Sequence, residues 1–457
     1  MFAVPGIAAL LVFIFLKPQE FVPFLAGLPL LYIMLGAALV GLAIDLRLGI
    51  ARFDPPPQLP YAAAFVGWCL LTRLITPGGG SFASSALELI IAFILFFVVA
   101  TGTASFHSFE ALVGSVLAAS MFVAGVCAHQ GLSPLGCAVM TGSGQESLRP
   151  DGRPCQNADE CLTGDAEPGA SYQCERTGLF GTVSVGRGRV RYRGVLKDPN
   201  EVALTVGAAV PALIARVERK GAIMRYLTCI VGIVCVATVI VFSQSRGGIL
   251  VFLTVMAVYM VRKFGVKGLV AGGILGLPLL MLGGRSGDEA EHSANERSEL
   301  LRDGINLFLT NPVYGVGYDR FGEHSFLTAH NSYVLAIAEN GLVGLFLYGL
   351  ILYVSMKTCY LAATQYRHVA PAQVGSIWGV ACLAAMAGIA VGSFFLSFTY
   401  HHVLWTYFGI TGALHTAVRR HDPKFEVRLK LGEYAGVFVA AVGLIAGLRV
   451  FLKLKGL

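Results

Sequence analysis

Charged residues are scarce in this sequence of 457 residues, where Asp, Glu, Lys and Arg together make up 13%. A soluble domain carries about 25%, so the composition excludes a soluble enzyme. The hydrophobic residues, 55% of the chain, come in blocks of roughly 14 to 25, close to what a helix needs to cross the bilayer core. The blocks lack the two-residue alternation of outer-membrane strands, which argues against a β-barrel. The sequence therefore predicts an all-α integral membrane protein.

The first apolar block, Val4 to Leu16, lacks a basic leader and a small-residue cleavage site. We therefore expect a retained first span rather than a removed signal peptide, and no soluble domain at either end. The apolar blocks predict about 12 to 13 transmembrane helices. The candidate spans are residues 3–16, 22–44, 59–75, 86–102, 109–128, 199–215, 224–243, 247–262, 268–283, 331–355, 375–397, 402–418 and 434–451.

Basic residues divide the short connections between these spans into two alternate sets. One set holds only Lys17 and Arg246, with Arg73 at a span end. The positive-inside rule places the richer set in the cytoplasm. This leaves the two long polar segments, 129–198 and 284–330, on the periplasmic face. The richer set consists of Arg47, Arg52, Arg216, Arg219, Lys220, Arg225, Arg262, Lys263, Lys267, Lys357, Arg367, Arg419, Arg420, Lys424, Arg428 and Lys430.

One conflict with this topology concerns the last span. If all the blocks cross the membrane, Arg449, Lys453 and Lys455 end outside, against the positive-inside rule. Either one block is re-entrant or the last loop is assigned to the wrong side.

The predicted organisation has five parts. They are N-terminal spans over 1–128, a cysteine-containing periplasmic loop over 129–198, spans over 199–283, a second periplasmic loop over 284–330 and C-terminal spans over 331–457.

Four of the ten cysteines lie in the first long loop, at Cys137, Cys155, Cys161 and Cys174. An even number in a polar external loop favours two disulfides, with three connectivities open, over free thiols. Zinc is least favoured, because His129 is the loop's only histidine and C-x-x-C spacing is missing. We expect this Gly-, Ser- and Pro-rich loop to be irregular and held by its disulfides. The other six cysteines lie in or beside apolar spans, at Cys69, Cys127, Cys229, Cys235, Cys359 and Cys382.

Polar groups at membrane depth are costly and usually functional, and four such patches stand out. The first precedes the span at 199–215, where Asp198 or Asn200 can cap the helix and Pro199 suits its first turn. Capping explains those residues without a further function. It does not explain four alternating arginines upstream, which an extended stretch would present on one face, suited to an anion. They are Arg187, Arg189, Arg191 and Arg193.

The second patch is the tight turn from Ser243 to Gly248 between two spans. Arg246 has an ordinary explanation as a snorkelling residue at a helix end, with glycines making the turn. Gly247 and Gly248 also open a helix whose free N–H groups could receive a phosphate beside Arg246.

The third patch runs from Asn295 to Phe308, where apolar residues recur at helical spacing. It predicts an amphipathic helix at the membrane interface, with Arg297 and Arg302 on a solvated polar face by default. The apolar positions are Leu300, Leu301, Ile305 and Phe308.

The fourth patch comprises residues 311–322, 328–333 and 339–344. Its glycines permit a close-packed turn. His330 then stands at the external mouth of a span, where imidazole can accept a proton near neutral pH. A single interfacial histidine more often has no catalytic role.

In this order and spacing, the four patches resemble the O-antigen ligase/polymerase superfamily of bacterial envelope glycosyltransferases. The resemblance covers about residues 190–355. It is carried by Lys197-Asp-Pro-Asn200, Ser245-Arg-Gly-Gly248, Arg297 with the helix that follows it, Asn311-Pro and Gly315-Val-Gly317, Ala329-His-Asn-Ser-Tyr333 and Glu339-Asn-Gly-Leu-Val-Gly344.

The resemblance implies a helical, metal-independent enzyme without cofactors that transfers a glycan from a polyprenyl-diphosphate carrier to a lipid or glycan acceptor. His330 matches the family's histidine, taken as the base that activates the acceptor hydroxyl. Arg193, Arg246 and Arg297 match its arginines, which would hold the diphosphate, and Arg191 competes with Arg193 for its place. The implied location is the periplasmic face of the bacterial inner membrane. The cysteine loop matches no hallmark of the family.

Alternatives from the same and from other classes stay open. A ligase transfers to lipid A–core or protein and a polymerase to another repeat unit, and the two share these motifs. A transporter would place ionisable groups near the bilayer midplane, whereas here they gather at one face. A structural scaffold would not need the arginines and the histidine. Nothing indicates a nucleic-acid partner.

Overall fold

The computed structural model describes the whole chain except residues 141–147, 164–165, 168, 187, 220, 269, 271–272, 274–287, 368–372 and 457. Most of the predicted span at 268–283 therefore lies outside the described residues, as does Arg187.

Helices form most of the described chain, and each predicted span other than 268–283 coincides with one of them. Nine of the described helices have at least 18 residues and are apolar enough to cross a membrane, which confirms the all-α integral membrane fold. The helices are α1 (Ala3–Leu16), α2 (Leu30–Arg47), α3 (Leu59–Ile75), α4 (Phe82–Thr101), α5 (Phe106–Leu132), α6 (Pro199–Arg219), α7 (Ile223–Ser243), α8 (Arg246–Phe264), α9 (Asp288–Thr310), α10 (Phe321–His324), α11 (Ser332–Gln365), α12 (Gln373–Gly392), α13 (His402–His421) and α14 (Leu431–Leu454), with short 3₁₀ turns at Pro18–Glu20, Pro23–Leu25, Asp159–Leu162, Leu179–Gly181 and Gly194–Leu196.

The first long loop contains an antiparallel sheet, so the expectation of an irregular loop is wrong. The strands β1 (Leu135–Met140), β2 (Leu148–Pro154) and β3 (Tyr172–Arg176) lie in the order β2-β1-β3. Pairing of backbone N–H and C=O groups builds this sheet, and the polar composition gave no alternating pattern from which to predict it. We call the segment from β1 to β3 the disulfide module.

Two disulfides hold this module, as predicted. They join Cys137 to Cys161 and Cys155 to Cys174, which selects one of the three connectivities. The sulfurs of Cys137, Cys155 and Cys161 lie within 4.8 Å of one another. Each belongs to a disulfide, so none is a thiolate that could hold zinc.

The chain divides into two compact units. Unit 1 comprises Met1–Ala8, Met34–Val113 and Ser286–Leu457, and unit 2 comprises Ala9–Ile33 and Gly114–Arg285. In unit 1, α11 packs against α3, α9, α12, α13 and α14. In unit 2, α6 packs against α7 and α8, and Leu117 of α5 packs on Ala209 and Leu213 of α6.

The last helix, α14, is held near both of its ends by other helices of unit 1. Near its start, Glu433 forms an ion pair of 2.6 Å with Lys357, late in α11. Near its end, the Nζ atom of Lys455 donates a hydrogen bond of 3.0 Å to the Oγ atom of Ser298 in α9. Helix α14 therefore extends from beside Lys357 of α11 to beside Ser298 of α9, and the side of the membrane on which its basic end lies stays a prediction.

Candidate active site

A break in α11 organises the site in unit 1. Gly341 has a φ of 65° and a ψ of −167° inside this helix. The loop at 311–317 docks into the break, where the amides of Val316 and Gly317 donate to the carbonyls of Ala338 and Glu339 at 2.9 and 2.8 Å. A Cβ atom at Gly341 would overlap the Val313 carbonyl. The two glycine-rich segments of the fourth patch, residues 311–317 and 339–344, thus pack against each other. We call this packed pair of segments the lock.

Glu339 connects the lock to the segment at residues 320–321, which follows the loop at 311–317. This side chain is only 3% exposed, and its Oε1 atom accepts hydrogen bonds from the amides of Arg320 and Phe321 at 3.1 and 3.0 Å. The next residue, Asn340, accepts a hydrogen bond of 3.0 Å from Thr72 of α3. Glu339 and Asn340 therefore fix the loop on α3 and α11 and are positioning residues.

Two buried arginines in unit 1 were missed as site residues by the sequence analysis. Arg73, which was noted only as a span-end residue, donates to the carbonyls of Tyr318 and Asp319, both at 3.2 Å. Arg320 donates to the carbonyl of Arg73 at 3.3 Å, while its Nε and Nη1 atoms are buried without a hydrogen-bond partner. The signal for Arg73 was present, because a charged residue inside an apolar helix is costly unless it is bonded. Together the two arginines support the loop that leads to His330.

His330 lies at the start of α11 in a left-handed backbone conformation, with a φ of 47°. The next residue, Asn331, caps the helix by accepting hydrogen bonds from the amides of Tyr333 and Val334. Ser332 is bonded to the segment at 393–399 through its amide and its Oγ atom, which reach Ser393 and Leu396 at 2.7 and 2.6 Å. The half-buried imidazole is therefore carried on a turn that is fixed from both sides.

Arg297 is half-buried in α9, a helix that packs against α11. The four predicted apolar positions of α9 are all buried, which confirms its amphipathic character. Gly304 packs closely against Val334, and Phe308 and Leu342 line one groove, so the two helices run parallel here. Arg297 lies two turns before Gly304, about 10.5 Å along the axis. His330 also precedes Val334, so Arg297 and His330 lie toward the same end of the pair.

The turn of Arg246 in unit 2 is built as a helix cap. Ser245 is the N-cap of α8, and its Oγ atom accepts a hydrogen bond of 3.0 Å from the amide of Gly248. Gly247 and Gly248 are buried. The Gly248 amide is thus bonded within the turn, and binding of a phosphate by the N-terminus of α8 beside Arg246 stays a prediction. Arg246 itself occupies the first position of α8, where the helix dipole adds positive potential.

The alternating arginines of the first patch run beside the end of α7, one turn before Arg246. The Nε atom of Arg189 donates to the Ser243 carbonyl at 3.1 Å, and the Val190 amide donates to Phe242 at 3.2 Å. The structure thus brings this segment to the Arg246 turn within unit 2, and the binding of an anion by these arginines stays a prediction.

Arg191 and Arg193 are held by backbone carbonyls. The Nε atom of Arg191 donates to Val183 at 3.0 Å. Arg193 donates through Nη1 to Glu20 at 2.9 Å and through Nη2 to Gly181. These bonds fix the direction of both guanidinium groups, so the positions of their charges are preorganised.

Downstream of these arginines, Asp198 caps α6. Its Oδ1 atom accepts a hydrogen bond of 2.6 Å from the Asn200 amide, and Glu201 accepts one of 3.2 Å from the Asp198 amide. This reciprocal cap explains the Lys197-Asp-Pro-Asn200 motif without a catalytic role.

A cavity of about 790 Å³ opens in unit 2 beside these arginines. Arg191 and Arg193 line it, together with Tyr192. Burial raises the pKa of the Tyr192 phenol above its usual value, and the hydroxyl donates to the Leu16 carbonyl. Tyr192 is therefore neutral at physiological pH and adds no negative charge to the cavity.

Fold and site together define a multi-pass helical membrane protein that carries His330 at the start of α11 and Arg246 at the start of α8. A family described as O-antigen ligase matches residues 204–349, which confirms the resemblance to the O-antigen ligase superfamily. The match contains Arg246, Arg297 and His330, whereas Arg191 and Arg193 precede it. It supports a bacterial membrane glycosyltransferase of the ligase or polymerase type. None of the curated proteins matches the chain.

Proposed function

We propose that the protein transfers a glycan from a polyprenyl-diphosphate carrier to an acceptor hydroxyl at the periplasmic face of the inner membrane. The observation that carries this proposal is the left-handed His330 on its doubly fixed turn. A non-glycine residue in this conformation costs about 1–3 kcal/mol and persists only where its surroundings impose it. Such strain concentrates at functional sites, and His330 is the one histidine among the described non-glycine residues with a positive φ.

The proposed chemistry is a displacement at the anomeric carbon of the first sugar. The neutral His330 imidazole takes the proton of the acceptor hydroxyl, and the acceptor oxygen forms a bond to that carbon. The bond from the carbon to the diphosphate oxygen breaks, and its electron pair leaves with the polyprenyl diphosphate. General-base catalysis of this kind contributes about 10²–10⁴ in rate.

The arginines offset the charge that develops on the leaving diphosphate. The proposed diphosphate ligands are Arg297, half-buried in α9, and Arg246, at the first position of α8. Arg191 and Arg193 add fixed positive charge. A planar guanidinium engages two phosphate oxygens at once, and stabilising charge where it develops is often the largest catalytic contribution. We therefore propose transfer without a metal ion.

Within the superfamily we favour a ligase that acts on lipid A–core or a similar acceptor. Cells that lack the protein separate this activity from polymerisation. Full-length lipid-linked chains that accumulate without attachment indicate a ligase, and accumulated single repeat units indicate a polymerase.

The experiment for the proposal uses purified protein, polyprenyl-diphosphate glycan and acceptor, with product followed by gel or mass spectrometry. Transfer should occur and continue in excess chelator. If chelator abolished transfer and Mg²⁺ restored it, the role given to the arginines would be wrong. If no glycan moved in either condition with folded protein, the proposed reaction would be wrong.

A further inference from the structure

The cavity of unit 2 is lined by charge of predominantly one sign. Five of its lining side chains are basic and one, Glu20, is acidic. Its volume of about 790 Å³ falls within the range of about 300–1,000 Å³ typical of small-molecule sites. The basic residues come from three separate segments of the chain, and they are Lys17, Arg149, Arg191, Arg193 and Lys197.

Three of these five residues are not among the diphosphate ligands that the family resemblance implies. Lys17 follows α1 and lies 3.6 Å from Glu20. Lys197 precedes the cap of α6 and is exposed, and Arg149 is exposed on β2. The positive lining of the cavity thus extends beyond Arg191 and Arg193 to Lys17 after α1, Lys197 before α6 and Arg149 of the disulfide module.

The disulfide module determines where Arg149 lies. Arg149 pairs with Val139 in the β1–β2 ladder. Strand β1 is joined to the rest of the module by the disulfide of Cys137, and the residue after β2 is joined to β3 by that of Cys155. The covalent links therefore hold the strand that brings Arg149 to the cavity.

We propose that this cavity binds an anionic sugar, one that carries a carboxylate or a phosphate, from the glycan donor or from the acceptor. The inference rests on the proposed glycan transfer and adds the substrate class. Fixed guanidinium groups recognise carboxylate and phosphate oxygens through paired hydrogen bonds. The neutral Tyr192 and the polar backbone around Gly181 and Thr182, which also line the cavity, suit the hydroxyls of a sugar.

Binding to purified full-length protein tests the proposal independently of transfer. The probes are trigalacturonate, glucose 6-phosphate, the neutral sugars maltotriose and glucose, and inorganic pyrophosphate. At least one acidic sugar should bind, more weakly as salt rises, while its neutral counterpart does not. Arg149→Glu should weaken acidic-sugar binding about tenfold or more, equivalent to about 1.4 kcal/mol, and Arg149→Lys should retain most of it.

The controls separate this proposal from the proposed function. Lys263→Glu, which makes the same charge change at the end of α8, should leave binding unchanged. His330→Asn should also bind the acidic sugar normally, because this substitution removes the proposed base and His330 does not line the cavity. Mapping of both disulfides in Arg149→Glu shows that the module is folded. The proposal is wrong if neither acidic sugar binds, if Arg149→Glu binds like the wild type, or if pyrophosphate alone binds in the cavity.

Discussion

The amide of Gly317 donates a hydrogen bond of 2.8 Å to the carbonyl of Glu339, next to the break at Gly341 in α11. This bond joins two motif segments that lie more than twenty residues apart in the sequence. It sets the course of the chain that ends at His330. The glycines of the family motif therefore build a support for the site and do not contact substrate in this account.

Replacing Gly341 with alanine should destabilise the protein and slow transfer. The new Cβ atom would overlap the Val313 carbonyl, and a positive φ strains a residue other than glycine by about 1–3 kcal/mol. Thermal unfolding of the purified variant should begin at a lower temperature than for the wild type. Gly67→Ala in α3, where no atom lies within 4 Å of the added Cβ, should change little. Equal stability of the two variants would contradict the lock.

Peptide mapping without reduction should recover Cys137 linked to Cys161 and Cys155 linked to Cys174. The double variant Cys155→Ser/Cys174→Ser should loosen the disulfide module and increase its cleavage by protease, since closing such a loop contributes about 3 kcal/mol. Cys229→Ser, at a free cysteine of α7, is the control and should leave the cleavage pattern intact. Either of the other two connectivities, or four free thiols, would contradict the fold of the module.

The topology predicts that the C-terminus and α9 share the periplasmic face. Cysteines introduced at Asn157, His292 and Gly456 should react with a membrane-impermeant thiol reagent once the outer membrane alone is opened. A cysteine at Lys424, between α13 and α14, should react only after the inner membrane is also broken. Labelling in the reverse order would overturn the orientation and the periplasmic reaction with it.

Arg297→Lys should lower the rate of transfer at least about tenfold although the charge is kept, because lysine cannot engage two phosphate oxygens with a planar fork. Arg302→Lys makes the same change five residues later on the exposed face of α9 and should transfer normally. Both rates come from the purified assay at saturating acceptor. Equal rates for the two variants would remove Arg297 from the diphosphate site.

Hydropathy and amphipathic spacing were enough to predict much of this fold. Because crossing a bilayer demands long apolar helices, the spans were identifiable, and the apolar face of α9 followed from its spacing at Leu300, Leu301, Ile305 and Phe308. The number of disulfides also followed from four cysteines in one polar loop.

The remaining features depend on contacts between distant residues. The pairing of Cys137 with Cys161 requires knowledge of which strands are neighbours, and the sheet itself left no alternating pattern. The break at Gly341 arises because the loop at 311–317 docks there, while the local sequence is compatible with a continuous helix. Arg73 was visible as a charge at a span end, but its partners at Tyr318 and Asp319 lie far away in the sequence.

The most direct test of the account is single-turnover transfer by His330→Asn. Asparagine, like histidine, tolerates the left-handed conformation better than most residues, so the turn at the start of α11 should persist while the base is lost. We predict a rate about 10²–10⁴ lower, with donor binding retained. The control His292→Asn, at an exposed position of α9, should transfer like the wild type. Turnover by folded His330→Asn near the wild-type rate would contradict the assignment of His330 as the general base.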